Sequence, residues 1–305
     1  MNNSEILFLY DAQMCNPNGD PDEENRPRMD YATQTNLVSD VRLKRYIRDY
    51  LQDKGHILYV GKGDTGEVVN ASRRVMQVLG QEKAAKLTKK DLDTLLEKLI
   101  DVRLFGATMP IQLEGNQKGQ SVALTGAVQF NWGFSLNKAY MLDSQTITSH
   151  FSSGEGREQG TMGKDFRIKY SLLAFQGIIS GFNAKHTHLT DKDVELLDQA
   201  MIKSIPLHAT RSKVGQEPRL YLRIEYKTDD YIIGDFRKWL SVENKDNKKD
   251  EEIFSINDLH LNAENLLDTL SKKQESIQKC VLWKDDALTM HGNLDSLPNV
   301  ELLAI

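Results

Sequence analysis

The chain has 305 residues, 39 % of them hydrophobic and 27 % charged, with a formal net charge of −5. That length buries a sizeable core without disulfides. The two cysteines, Cys15 and Cys280, make neither a disulfide framework nor the spaced Cys/His set of a zinc site. The first residues show no basic stretch followed by a long apolar one, and no run reaches the roughly 18 apolar residues of a membrane helix. A reducing, cytoplasmic setting without a membrane partner is expected.

Residues 5–14 read as a short buried strand. Asn16-Pro-Asn-Gly-Asp-Pro21 then breaks the pattern into an irregular loop. Ser39 to Lys54 reads as a helix: Ser39 caps it, Asp40 suits the first turn, and Leu43, Tyr46, Ile47, Tyr50 and Leu51 share one face. A short strand over 56–60 and mostly helix or loop to residue 120 are expected, with Thr88 and Asp91 opening a helix. Residues 121–135 alternate as one long strand. Residues 144–169, polar and Gly-rich, predict an excursion from the core. Leu172 to Phe182 reads as a strand, Thr190 to Ile205 as a helix opened by a Thr190/Asp193 capping box, and Leu220 to Lys227 as a strand. Residues 243–252 are a charge run expected to form a solvated loop, and the tail from 253 onward is weakly helical. The order strand, helix, strand, strand, helix, strand predicts an α+β fold of the ferredoxin-like type with large insertions, an arrangement that RNA-recognition modules share.

An acidic total weighs against a nucleic-acid binder, but phosphate affinity depends on the local patch. From Arg26 to Arg48 the chain carries six basic residues (Arg26, Arg28, Arg42, Lys44, Arg45 and Arg48) against Asp30 and Asp40. By helical angle, Arg42, Lys44, Arg45 and Arg48 lie opposite the apolar stripe. Ser39 adds the free N–H groups of a helix start beside them, a setting suited to phosphate. The segment Gly160-Thr-Met-Gly-Lys-Asp-Phe-Arg-Ile-Lys169 offers Lys164, Arg167 and Lys169 to phosphates. Met162 there is either a wedge between bases or the plug of a small satellite core. The Asn/Asp run 16–24 resembles a hard-cation loop, but the same residues beside Pro and Gly build turns. His186-x-His188 lacks a visible third ligand. Tyr10, Phe130, Trp132 and Phe134 fit core packing better than base stacking. No nucleophile constellation, catalytic residue, metal site or cofactor is indicated.

The run Asn16-Pro-Asn-Gly-Asp-Pro-Asp-Glu-Glu-Asn-Arg-Pro-Arg28 with Val38-Ser-Asp-Val-Arg-Leu-Lys-Arg-Tyr-Ile-Arg48 resembles the opening of the CRISPR-associated Cas-seven family. Asp101-Val-Arg-Leu-Phe-Gly106 and Gly160-Thr-Met-Gly-Lys164 resemble later blocks of it, and the details look closest to type I-B, with type I-C as the neighbour. The resemblance implies a hand-shaped RAMP-type protein. One modified RRM-like palm domain would span 1–305, with a finger-like insertion at 56–120, a thumb at 144–169 and a C-terminal extension at 241–305. It implies a non-catalytic backbone subunit of a Cascade complex. Such a subunit binds crRNA, meets target DNA through the guide, and stacks with copies of itself and other Cascade subunits. Guide contacts would map to Ser39, Lys44, Arg45 and Arg48, with Met162 and Lys164 in the thumb. Arg103 would be either a further contact or a buried pair with Asp101. The alternative within the wider superfamily is a metal-dependent endoribonuclease using Asp20, Asp22 or Asp30. A third reading is an α+β domain with no RNA role.

Overall fold

The computed structural model describes residues 1–61, 69–82, 86–111, 119–143, 146–149 and 161–304, with the side chains of residues 148, 149, 161 and 162 outside that set. In the N-terminal part, β1 (Ser4–Cys15) is followed by three two-residue strands, β2 (Gly19–Asp20), β3 (Arg26–Pro27) and β4 (Met29–Asp30). Strand β5 (Thr35–Val38) then leads into α1 (Asp40–Asp53). Three helices follow: α2 (Ala71–Leu79), α3 (Lys89–Lys98) and α4 (Ile100–Phe105). Next come β6 (Gly106–Ile111), β7 (Gln120–Thr125), β8 (Val128–Phe130), β9 (Gly133–Ser135), and the paired strands β10 (Thr146–Ser149) and β11 (Thr161–Lys164). The second half holds β12 (Ile168–Ile179), α5 (Gly181–Thr187), α6 (Asp191–Leu207) and β13 (Gln216–Tyr226). It ends with β14 (Ser241–Asn244), β15 (Leu259–Asn262), α7 (Glu264–Lys272), β16 (Ile277–Lys284), β17 (Met290–His291) and β18 (Val300–Leu302).

The main sheet runs β18-β16-β13-β1-β12-β9-β5-β4, with β8 also on β12. Strand β1 sits antiparallel between β12 and β13. Its apolar run has no polar alternation because both faces are covered. Ile6, Phe8 and Tyr10 face the core shared with α1 and α6; Leu7 and Leu9 face a second core built by the C-terminal residues. A third, smaller core joins α2 and α3 to β6 and β7. No helix among the described residues is long and apolar enough to cross a membrane.

Helix α1 starts one residue after Ser39, as its cap predicts, and α6 opens on the Thr190/Asp193 capping box. Several expectations are corrected. Residues 56–60 form no strand: the buried Asp101 carboxylate takes the N–H groups of Tyr59 (2.8 Å) and Val60 (3.0 Å) instead of a ladder doing so. Residues 106–111 form a strand with 120–125 rather than a loop. The single strand expected over 121–135 is broken into β7, β8 and β9. Gly126 is pressed so tightly onto the Phe105–Gly106 peptide that a Cβ there would lie 2.1 Å from the Phe105 carbonyl carbon, and the chain turns at that point. The tail holds a helix, α7, but is not mainly helical: β16 extends the main sheet, and 253–297 supply most of the second core. The charge run 243–252 is tied down by β14 and by short 3₁₀ turns. Tyr10 and Phe130 are core residues as expected, whereas Trp132 is 44 % exposed. His186 lies on α5, with its ring edge-on to Phe182.

Candidate nucleic-acid interface

The loop after β1 and the start of α1 are built as one piece. Asn18 Oδ1 accepts both the Ser39 backbone N–H and the Ser39 hydroxyl, each at 2.9 Å. The Ser39 oxygen in turn accepts the Arg42 N–H at 3.3 Å, which caps the helix. Asn16 Nδ2 donates to the Asn25 carbonyl at 2.6 Å and Arg28 pairs with Asp20 at 2.8 Å, so the Asn/Asp run is committed to turns and a local ion pair. Asp30 lies exposed; hydrogen bonds from the Thr33 hydroxyl and the Ala32 N–H hold its carboxyl below the usual range. Asp22 is likewise exposed. Among the described residues, no three His, Cys, Asp or Glu side chains gather as a metal site.

The basic residues of α1 do not form one solvent-facing flank, which corrects the reading from helical angle. Lys44 is 8 % exposed. Its ammonium donates to Asp40 and to Gln129, both at 3.0 Å, and lies 5.8 Å from the Phe105 ring. Arg48 donates to the buried Asp101 at 3.1 Å and also covers Phe105. Arg103 pairs with Asp193, not with Asp101, and donates in addition to the Leu96 and Glu97 carbonyls. These three cations are committed inside the protein. Arg45 is exposed and pairs with Asp49 at 2.8 Å. Among the described residues Arg42 has no carboxylate partner: its guanidinium lies 4.0 Å from the Tyr46 ring centre, and Nε and Nη2, both buried, make no hydrogen bond to them.

The segment after β11 returns to the same loop. Lys164 reaches Glu24 at 3.0 Å, both exposed, and this hydrogen bond and charge hold the Glu24 carboxyl below its ordinary range. Phe166 is buried between Arg26, 4.7 Å from its ring, and Lys164 at 5.9 Å. Arg167 pairs with Asp165 at 2.9 Å and ties down the Met14 and Arg211 carbonyls. Lys169 points elsewhere, to the Glu251 carbonyl at 3.4 Å. The Met162 backbone pairs with Thr148 in the β10–β11 hairpin; its side chain lies outside the described residues.

The structure therefore gathers Arg26, Arg28, Ser39, Arg42, Lys164 and Arg167 around the loop 16–28. It also adds two residues that sequence reading missed, Arg211 and Lys213. The Lys213 ammonium donates to the carbonyls of Asn16 and Pro17, and Arg211 is exposed beside Asp165. Their only signal in the sequence is Arg211-Ser-Lys213 directly after α6, too short a motif to stand alone. The resulting cluster joins a capped helix start, guanidinium groups and ammonium groups, which is chemistry for anionic oxygens.

The family model described as CRISPR-associated protein Cas7 matches residues 2–264. A relative from Haloferax volcanii, described as CRISPR-associated protein Cas7, is 36 % identical over 307 residues, covering 95 % of this chain and 89 % of the relative. Among solved structures, a chain of a CRISPR RNA-guided surveillance complex in a pre-nicking state resembles this fold. Its TM-score is 0.54 and its identity 14 %, and the match covers 97 % of this chain and 98 % of that one. On the first two of these matches, over nearly its whole described length, the chain belongs to the CRISPR-associated Cas7 family.

Proposed function

We propose that this chain is the crRNA-binding backbone subunit of a CRISPR Cascade interference complex, non-catalytic and cytoplasmic, with copies of itself arrayed along one guide. The observation that carries the reading is the cluster of Arg42, Ser39 and Lys213 at the start of α1, in a chain that belongs to the Cas7 family. Its cations give sequence-independent, salt-sensitive affinity for phosphate. Arg26, Arg28, Arg45, Lys164 and Arg167 flank it. Lys44, Arg48 and Arg103 support the site from inside rather than touching RNA, and Lys169 lies apart. The finer placement in type I-B rests on the residues 16–48.

The core supports a modified ferredoxin-like, RRM-type palm. In β1, α1, β8/β9, β12, α6 and β13, the first strand lies between the third and the last, and the second flanks the third. The 56–120 region would serve as finger, the β10–β11 hairpin in 144–169 as thumb, and 241–305 as an extension sealing the palm's other face. Target DNA would meet the filament through pairing with the guide, and other Cascade subunits would cap it.

Anisotropy of a labelled single-stranded RNA, titrated with protein at several salt concentrations, tests this. Binding should weaken steeply with salt, and Arg42→Ala should lower affinity about tenfold and reduce the log–log salt slope by about one. An RNA that stays unbound at low salt would remove the proposal. In the same assay with Mg²⁺ the RNA should remain intact; cleavage abolished by Asp30→Ala would replace a scaffold with an endoribonuclease.

A further inference from the structure

A ring of contacts closes around the start of α1. Lys213 Nζ donates to the Asn16 carbonyl at 2.5 Å and the Pro17 carbonyl at 3.1 Å. The next residue, Asn18, holds both the N–H and the hydroxyl of Ser39. Ser39 caps Arg42, and the Arg42 guanidinium rests on the Tyr46 ring. The Tyr46 hydroxyl donates to Gln216 at 3.2 Å, and the Gln216 amide donates to the Lys213 carbonyl at 2.9 Å. Arg42 is thus held from two sides, and both routes end on Lys213.

We propose that Lys213 serves bound RNA in two ways: its two carbonyl bonds fix the turn that holds the start of α1, and its charge meets the phosphate backbone beside Arg42. The proposal rests on the RNA-binding reading above. Two of the three ammonium protons are used on carbonyls. The third makes no hydrogen bond to the described residues, and Lys213 lines a cleft with Asn16, Gly19, Lys164 and Phe166. An amine that has lost its proton keeps two N–H donors, both already occupied, and has no charge left for phosphate.

Burial, and then the charge of Arg42, pushes the Lys213 ammonium down to about 8. The groups around it come from every side. Arg42, Arg45 and Asp49 lie on α1, and His208, after α6, is held below its ordinary value by burial and by Arg42. Cys15 ends β1 with its thiol pushed up to about 12 by burial, and Arg167 lies near it. Glu24, Lys164 and Asp165 stand across the cleft. His208 and Cys15 are therefore neutral from pH 7 to 9, while Lys213 loses its charge. Linkage gives two opposite trends. RNA favours the ammonium form, so affinity falls as pH rises through about 8. The folded chain gives up this proton before the unfolded chain does, so the Lys213 contribution to stability rises from pH 8 toward its ordinary 10.5.

The test is the dissociation constant of the labelled single-stranded RNA at about pH 7 and about pH 9, at one salt concentration, with a urea melt at each pH. Wild type should bind about three- to tenfold more weakly at the higher pH with no loss of stability. Lys213→Arg should bind as wild type does at the lower pH and show no such fall. Lys213→Gln should be weak at both, and should add little once Arg42→Ala is present, because both act at one place. A wild-type affinity that does not change with pH, or an equal fall in Lys213→Arg, overturns the assignment while leaving RNA binding in place. If wild type fails to bind RNA even at the lower pH, the functional reading falls and this one with it.

Discussion

The Arg103 guanidinium closes on both carboxylate oxygens of Asp193, Nη2 at 2.7 Å and Nε at 2.9 Å, and so bolts α4 to the first turn of α6. Asp193 is also the residue that caps Thr190. Arg103→Ala leaves that nearly buried carboxylate short of its main partner and should cost about 3 kcal/mol in a urea melt near neutral pH. Burial alone would raise the Asp193 carboxyl, but Arg103 and the Thr190 N–H outweigh it and hold it below its ordinary 3.8. The stability from this pair is therefore present above pH 4 and lost below it, so the deficit of the variant should shrink in acid. A deficit independent of pH would mean that packing, not charge, is what Arg103 supplies.

Lys44 and Arg45 are neighbours in sequence with opposite fates. Lys44→Ala uncovers Asp40 and Gln129 in a half-buried site and should cost about 1–3 kcal/mol. Arg45→Ala, at an exposed ion pair, should cost less than about 0.5 kcal/mol while weakening RNA binding. Thermal melts of the two variants side by side decide this; equal losses would restore the simple picture of a basic outer flank.

Strand β16 is core, not appendage. Leu282 is 1 % exposed on β16, and Leu282→Ala should cost about 3 kcal/mol. Leu302, 66 % exposed on β18, should tolerate the same change within about 0.5 kcal/mol. Chemical denaturation of both variants tests whether the second core is part of one cooperative fold.

Gly126→Ala should be among the most damaging single-methyl additions in the chain. The new Cβ meets backbone at Phe105 and Gly106 rather than a side chain that can swing away. A loss of more than about 2 kcal/mol is expected. Hydrogen exchange should place the damage in residues 106–125 and leave the start of α1 protected.

Local signals were readable where local chemistry decides the outcome. The Ser39 cap, the stripe from Leu43 to Leu51, and the Thr190/Asp193 box all follow from side chains within one turn of the place they control. The β1–α1–β12–α6–β13 order followed from the same kind of pattern. The broken strand at 121–135 was hidden because Gly126 is pinned by a segment some twenty residues away, and alternation carries no trace of that contact. Lys44 was misplaced although a clue existed: it stands in line with Ile47 and Leu51, and Asp40 lies one turn before it. What sequence could not supply was Gln129 and Phe105 arriving from elsewhere to receive it. Lys213 was invisible for the same reason, since its partners are the carbonyls of residues nearly two hundred positions earlier.

The central sheet is plastered on both sides, and this has a bearing on what such a subunit can discriminate. Phe8, Tyr10 and Phe175 are fully enclosed, so none can act as a platform for a nucleobase. On the proposed function, a chain that offers cations at a helix start while Phe8, Tyr10 and Phe175 stay sealed in the sheet would hold the ribose-phosphate thread without using that sheet to read the letters strung on it. Under that proposal, choice of target would be left to base pairing, and one protein could serve any spacer it is loaded with.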